Sequence, residues 1–261
     1  MPDTNQFSLD ITGATNFRSL GGLPAAGGRR IRPHALMRAD RLIGLDERDW
    51  SALARAGLAT ICDLRSDAER DEHPNRLPPG LEVRELNCQV NNDLRADPSL
   101  GRLMLDDPSA RGAERVMIEI YHRFPGYMGR TLTAVIERLL AGGAPMLVHC
   151  SAGKDRTGFV IAMLLHALDV PEPLIREDYL ASKRWTGAVH HRASLAARLG
   201  RFMPASELDD AVDTAIDVRE VYLDAALGAA VAEFGSIDRY LEVAAGLDAE
   251  RREQLRGAML V

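Results

Sequence analysis

An α/β layer structure around a central, mostly parallel sheet is the fold class this sequence predicts, and three observations carry it. Short apolar runs, "LATICDL" (Leu58 to Leu64) and "APMLVH" (Ala144 to His149), read as buried strands. Segments of helical spacing alternate with them in the order helix, strand, loop, helix, which packs helices onto a sheet. From Pro171 onward almost every segment has a helical pattern, adding a C-terminal helical region.

Taken in order, "GGLPAAGG" (Gly21 to Gly28) lies between short strand-like runs and reads as a hairpin loop. "LDERDWSALARAG" has helical spacing and closes on Gly57 as a C-cap. The buried strand Leu58 to Leu64 follows, then the alternating strand "LEVREL" (Leu81 to Leu86). Asn91 to Gly112 is polar and rich in Asp and Pro, the composition of a long surface loop. Helices are expected near Ala113 to Arg123 and Met128 to Leu140, with Gly142-Gly143 ending the second. After the strand "APMLVH", Thr157 to Leu168 forms a helix that is apolar nearly all round. "PEPLIREDYLASKRW", "VHHRASLAARLGRF", "SELDDAVDTAIDV", "REVYLDAALGAAVAEF" and "DAERREQLRGAML" complete the helical set. No Gly/Ser/Pro linker divides them from the first half, so residues 1–261 read as one domain with a helical insertion within 171–218.

Apolar residues make up 46% of the chain and charged ones 27%, which suits a globular protein with a substantial core. A net charge of -6 argues against a general basic face for nucleic acid, although local clusters such as "GGRRIR" (Gly27 to Arg32) occur. Cys62, Cys88 and Cys150 are too scattered for a disulfide framework, and no CxxC or HExxH spacing marks a zinc site. No metal and no cofactor is expected. The longest apolar stretch, "FVIAMLLHAL" (Phe159 to Leu168), is too short to span a bilayer, so no integral membrane contact is expected. The start "MPDTNQFSLD" has no charged-then-apolar signal pattern. The expected location is the cytoplasm, or outside the cell by a route without a recognisable signal peptide.

The chemistry concentrates in "VHCSAGKDRTG" (Val148 to Gly158), between an apolar strand and a helix. Ligands of a parallel sheet bind at the carboxyl ends of its strands, where Cys150 falls. The residues after it, Ser151, Ala152, Gly153, Lys154 and Asp155, can curl so that their backbone N–H groups face inward. Such N–H groups and the positive end of the following helix form an anion nest. Arg156 closes the ring with a planar fork that suits two oxygens of a phosphate. A helix N-terminus and nearby cations favour thiolate over thiol, so Cys150 is expected to attack phosphorus in line and form a phosphocysteine. Thr157 can donate its hydroxyl to the sulfur.

Plainer readings stand beside these. A cysteine at a strand end can be a small buried hydrophobe, Asp155 an N-cap and Lys154 a solvated charge. The nucleotide-binding P-loop is excluded, because Asp155 follows Lys154 where that motif needs Ser or Thr.

The string "HCSAGKDRTG" resembles the signature loop of cysteine-dependent phosphatases, and more narrowly that of a bacterial tyrosine-phosphatase-like family. The resemblance spans nearly the whole chain, through "NFRSLGG", "CDLRS", "YHRFP", "EDYLAS" and "FGSIDRYL". It implies a three-layer phosphatase fold with a helical lid. It also implies activity on phosphotyrosine and, in some members, phosphoserine/threonine and phosphoinositides. By this resemblance Cys150 is the nucleophile, Arg156 the phosphate binder and Asp155 the general acid, while Lys154 adds charge for a second anionic group. The chain departs at Ser19, where the family more often has an aspartate.

Asp63 and Arg65 of "CDLRS" end a second strand at the same site. Asp63 either orients the loop or shares the acid role, and Arg65 anchors a loop or assists binding. Alternation puts Cys62 on the opposite face, in the core. Arg18 and the pair Arg38/Asp40 are expected to brace the site as ion pairs, and His149 to hold Cys150 through hydrogen bonds. His190-His191 reads as a solvated helix face. The sequence thus predicts a protein-tyrosine phosphatase, with dual specificity within its reach. The alternatives are a phosphoinositide phosphatase or a non-catalytic phosphate-binding module.

Overall fold

The computed structural model describes residues 8–88, 97–184 and 188–261. Its sheet runs in the order β1-β2-β5-β3-β4. The strands are β1 Arg18–Ser19, β2 Leu36–Ala39, β3 Thr60–Asp63, β4 Arg84–Asn87 and β5 Met146–His149. β1 pairs antiparallel with β2, and the remaining pairings are parallel. The predicted α/β class with a mostly parallel sheet is the observed one.

Strand alternation divides the interior into two layers. Met37, Ala39, Ile61 and Leu147 join Trp50 and Leu53 of α1 (Glu47–Arg55) in the smaller core. Asp46 caps α1 by accepting from the Asp49 amide, and Gly57 takes the left-handed turn after it at φ +78°. Leu36, Cys62, Met146 and Val148 face the larger core on the other side. Cys62 is fully buried there, as its alternation predicts.

α2 (Asp67–Glu72) follows β3 and was not foreseen; a capping box between Ser66 and Glu69 starts it. The segment read as a surface loop is largely helical where the structure describes it; residues 91–96 lie outside the described part. Asp97 accepts from the Ser99 amide and Pro98 opens α3 (Pro98–Asp106), while Ser109 caps α4 (Ala110–His122). The Asp, Pro and Ser taken as loop composition are helix-start residues.

α5 (Phe124–Leu140) and α6 (Asp155–Ala167) cover the larger core, and Phe159 to Leu165 are buried all round. α7 (Glu172–Ala181), α8 (Ala188–Leu199) and α9 (Ala205–Ile216) follow. α9 packs on α4 and α8. A third, small core of Met104, Ala113 and Ala211 joins this region to α3 and α4. α10 (Glu220–Phe234), α11 (Ile237–Ala245) and α12 (Ala249–Met259) complete the chain. α11 lies in a stretch that the helical pattern had not assigned.

Among the described residues, no helix is long and apolar enough to cross a membrane.

Candidate active site

The turn after β5 is shaped by what holds its carbonyl groups. Arg41 N–H donates to the Ser151 carbonyl at 3.2 Å. Asn16 Nδ2 donates to the Ala152 carbonyl at 3.0 Å, and Arg38 Nη2 to the Gly153 carbonyl at 2.6 Å. In a trans peptide the next residue's N–H points opposite to the carbonyl. Three consecutive carbonyls tied outward therefore turn the N–H groups of Ala152, Gly153 and Lys154 inward. The Gly153 N–H shows the result, donating to Cys150 Sγ at 3.3 Å. Gly153 has φ +67°, and a Cβ there would stand 2.4 Å from the Ala39 carbonyl oxygen, so the turn admits glycine alone.

Arg156 is gripped by Glu69: Nη1 donates to Oε2 and Nη2 to Oε1, each at 2.7 Å. Nη1 also donates to the Leu64 carbonyl at 3.1 Å. Burial alone would lower the pKa of this guanidinium, but the hydrogen bonds it donates to Glu69 and the charge of that carboxylate outweigh it and raise the net value. Glu69 likewise resists burial, because Arg156 and Ser151 hold its carboxyl well below the usual range. Ser151 Oγ donates to Glu69 Oε1 at 2.5 Å.

Asp155 does not cap α6. Lys154 occupies the N-cap position without a side-chain cap bond, and Asp155 is the first helical residue. Its Oδ1 accepts from Tyr121 Oη and from Lys154 Nζ, both at 2.8 Å. Lys154 is buried and not solvated. Its Nζ donates also to the carbonyls of Ala215 at 3.2 Å and Asp217 at 3.4 Å, at the end of α9. Thr157 Oγ1 is buried and makes no hydrogen bond among the described residues, so the bond to sulfur expected of it is absent.

Asp63 and Arg65 are spent on each other. Arg65 Nε donates to Asp63 Oδ1 at 2.9 Å and Nη2 to Oδ2 at 2.7 Å, with both residues buried. Arg65 then reaches the His73 carbonyl at 2.6 Å and Asn75 Oδ1 at 2.9 Å, pinning the loop after α2. His149 sits beside them, fully buried, and burial lowers its pKa to about 4. The neutral ring with its proton on Nδ1 fits its neighbours: the Cys150 carbonyl lies 3.4 Å from Nδ1 and Asn75 Nδ2 lies 3.4 Å from Nε2.

The expected Arg38/Asp40 ion pair is replaced by another. Arg38 Nη1 donates to Asp178 Oδ2 at 2.5 Å, and Arg18 Nε to Asp178 Oδ1 at 2.7 Å. Asp40 instead accepts from Thr15 Oγ1 and the Asn16 amide. Ser19 serves its own turn, accepting from Gly21 N–H at 3.2 Å. A cavity of about 680 Å³ opens from the loop residues Ala152, Lys154, Asp155 and Arg156 toward apolar side chains of α3, α4 and α8. His191 lines it, contrary to the solvated face expected; the His190 side chain lies outside the described part.

Asn16, Glu69, Tyr121, Asp178 and Tyr179 reach the loop or its braces without having been singled out. Each had a signal. Ser66 and Glu69 carry capping-box spacing, and the others lie in or beside "NFRSLGG", "YHRFP" and "EDYLAS", stretches noted only as accompaniments of the loop.

Comparison with known proteins shows the family. Residues 9–261 match the tyrosine phosphatase family. The chain is 34% identical over 281 residues to the triple specificity protein phosphatase PtpB of Mycobacterium tuberculosis, covering 96% of this chain and 98% of that protein. It is also 34% identical over 247 residues to a Cupriavidus necator protein provisionally named a tyrosine-protein phosphatase, covering 94% of this chain and 86% of that one. A tyrosine-protein phosphatase of Nostoc commune is 29% identical over 164 residues, 62% of this chain and 53% of its own length. A loop that turns its amides toward Cys150, in a chain with these relatives, belongs to a member of the tyrosine phosphatase family.

Proposed function

We propose that this phosphatase hydrolyses phosphotyrosine by way of a phosphocysteine formed at Cys150. The observation that carries the reading is the Gly153 N–H on Cys150 Sγ, with the carbonyls of Ser151, Ala152 and Gly153 all held by the scaffold. Inward amides and the N-terminus of α6 offer an anion site directly over the sulfur. Glu69 and Leu64 engage one edge of Arg156, which leaves Nε–H and the second Nη2–H to grip two phosphate oxygens. The thiolate attacks phosphorus, the P–O bond to the phenol breaks, and Asp155 protonates the departing oxygen. Water then attacks the phosphocysteine and releases phosphate and Cys150. Asp63, Arg65 and His149 act through the backbone of the loop.

Phosphoserine and phosphothreonine are proposed as further substrates, in keeping with the triple specificity that names the mycobacterial relative. A phosphoinositide preference has less support, because Lys154, the cation assigned to a second phosphate, is taken up by Asp155 and two carbonyls at the end of α9. The test is Cys150→Ser. Turnover should vanish while orthovanadate still binds. Retained turnover would refute the covalent route.

A further inference from the structure

Two stretches that accompany the loop in the sequence, "YHRFP" and "EDYLAS", meet in the structure at one carboxylate oxygen. Tyr179 Oη donates to Tyr121 Oη at 2.9 Å, and Tyr121 Oη donates to Asp155 Oδ1 at 2.8 Å. Lys154 Nζ donates to the same oxygen at 2.8 Å. The tyrosines come from α4 and α7, distant in sequence, and both rings are buried. Gly158 makes room for this, since a Cβ there would lie 3.0 Å from the Tyr179 ring.

We propose that Tyr121 is a positioning residue for proton transfer: with Lys154 it keeps Oδ1 of Asp155 as the accepting oxygen, so the transferable proton is carried on Oδ2. Tyr179 holds the Tyr121 hydroxyl in that bond. The proposal rests on Asp155 being the general acid. An oxygen that accepts two donors is the poorer place for a proton, and the carboxyl's other oxygen takes it. When the P–O bond breaks, the proton passes from Oδ2 to the phenolate oxygen. The carboxylate left behind keeps its two donors at Oδ1, then recovers a proton from the attacking water.

Among the described groups that bear on Asp155 are Lys154 and Arg156 of its own loop, Tyr121 of α4, Tyr179 of α7 and Tyr222 of α10, with Arg38 of β2 acting on Tyr179. Burial raises the pKa of all three tyrosines, so their hydroxyls stay protonated across the working range. The chain therefore does not titrate there; it orients.

Tyr121→Phe removes the hydroxyl while keeping ring contacts to Phe124 at 4.8 Å and Tyr222 at 5.7 Å. On a phosphotyrosine peptide kcat should fall about tenfold, the worth of one ordinary hydrogen bond. On an aryl phosphate with a strongly acidic phenol it should fall much less, because that leaving group needs little protonation. The basic limb of the kcat–pH profile should move to higher pH, since losing a donor to the carboxylate favours its protonated form. Tyr179→Phe should move the limb the same way by less, and it carries the test if Tyr121→Phe does not fold. Asp155→Asn, run alongside, should show the same leaving-group selectivity and lose the limb. If Asp155→Asn behaves so while Tyr121→Phe and Tyr179→Phe lower both substrates equally with the limb fixed, the positioning role is overturned and the acid stands. If Asp155→Asn itself costs the two substrates equally, the acid assignment fails and takes the positioning role with it.

Discussion

Glu69 takes both Nη atoms of Arg156 at 2.7 Å while its own Oε2 accepts from the Ser66 amide at 2.9 Å. One carboxylate therefore starts α2 and fixes Arg156, the residue proposed to grip phosphate. The fork is oriented before any ligand arrives, which reduces what binding must spend on ordering it.

Glu69→Gln keeps the shape and removes the charge. Arg156 should lose its fixed plane, and kcat/KM should fall about 10- to 100-fold, as for a charge-assisted hydrogen-bond pair. Orthovanadate should bind more weakly in parallel. Tighter orthovanadate binding would mean that Glu69 competes with phosphate and does not prepare the site for it.

Lys154→Ala should cost an inositol polyphosphate lipid and a phosphotyrosine peptide equally. The ammonium bridges Asp155 to the carbonyls of Ala215 and Asp217, so its loss takes one of two donors from the carboxylate and leaves the two partly buried carbonyls without this one. Thermal unfolding should show destabilisation of about 1–3 kcal/mol. A loss confined to the lipid would return the ammonium to substrate binding.

Acid stability should follow His149. Its folded pKa is lowered to about 4 from 6.5 by burial, so the unfolded chain takes up a proton that the folded chain refuses. Stability is then full above pH 6.5 and declines as pH falls toward 4, by up to about 3 kcal/mol. The lowered carboxyl of Glu69 adds a loss of the same sign below its ordinary range. Urea midpoints across this window should slope for the wild type and flatten for His149→Asn. An unchanged slope would place the proton uptake elsewhere.

Leu195, Leu199 and Phe202 wall the cavity from the side of α8. If this segment works as a lid, replacing Leu195 and Leu199 with serine should loosen it and speed inactivation of Cys150 by peroxide. Equal inactivation rates in a folded variant would make it a fixed helical layer.

The parallel sheet, the position of Cys150 at a strand end and the glycine at position 153 were legible in the sequence. Each rests on local chemistry: apolar runs that must be buried, a strand that hands over to a helix, and a backbone angle of +67° that suits glycine. α2 and α3 are not legible there, because Ser, Asp and Pro serve helix starts and loops alike, and only the following turns settle which.

Partnership was decided by the tertiary structure. Arg38 meets Asp178 across 140 residues, Glu69 meets Arg156 across 87, and Tyr121 meets Asp155 across 34. Nothing in the spacing of the chain chooses Asp178 over Asp40 for Arg38. A buried charge must be paired where the folded layers put it, and that address exists only once β2, α6 and α7 are packed together.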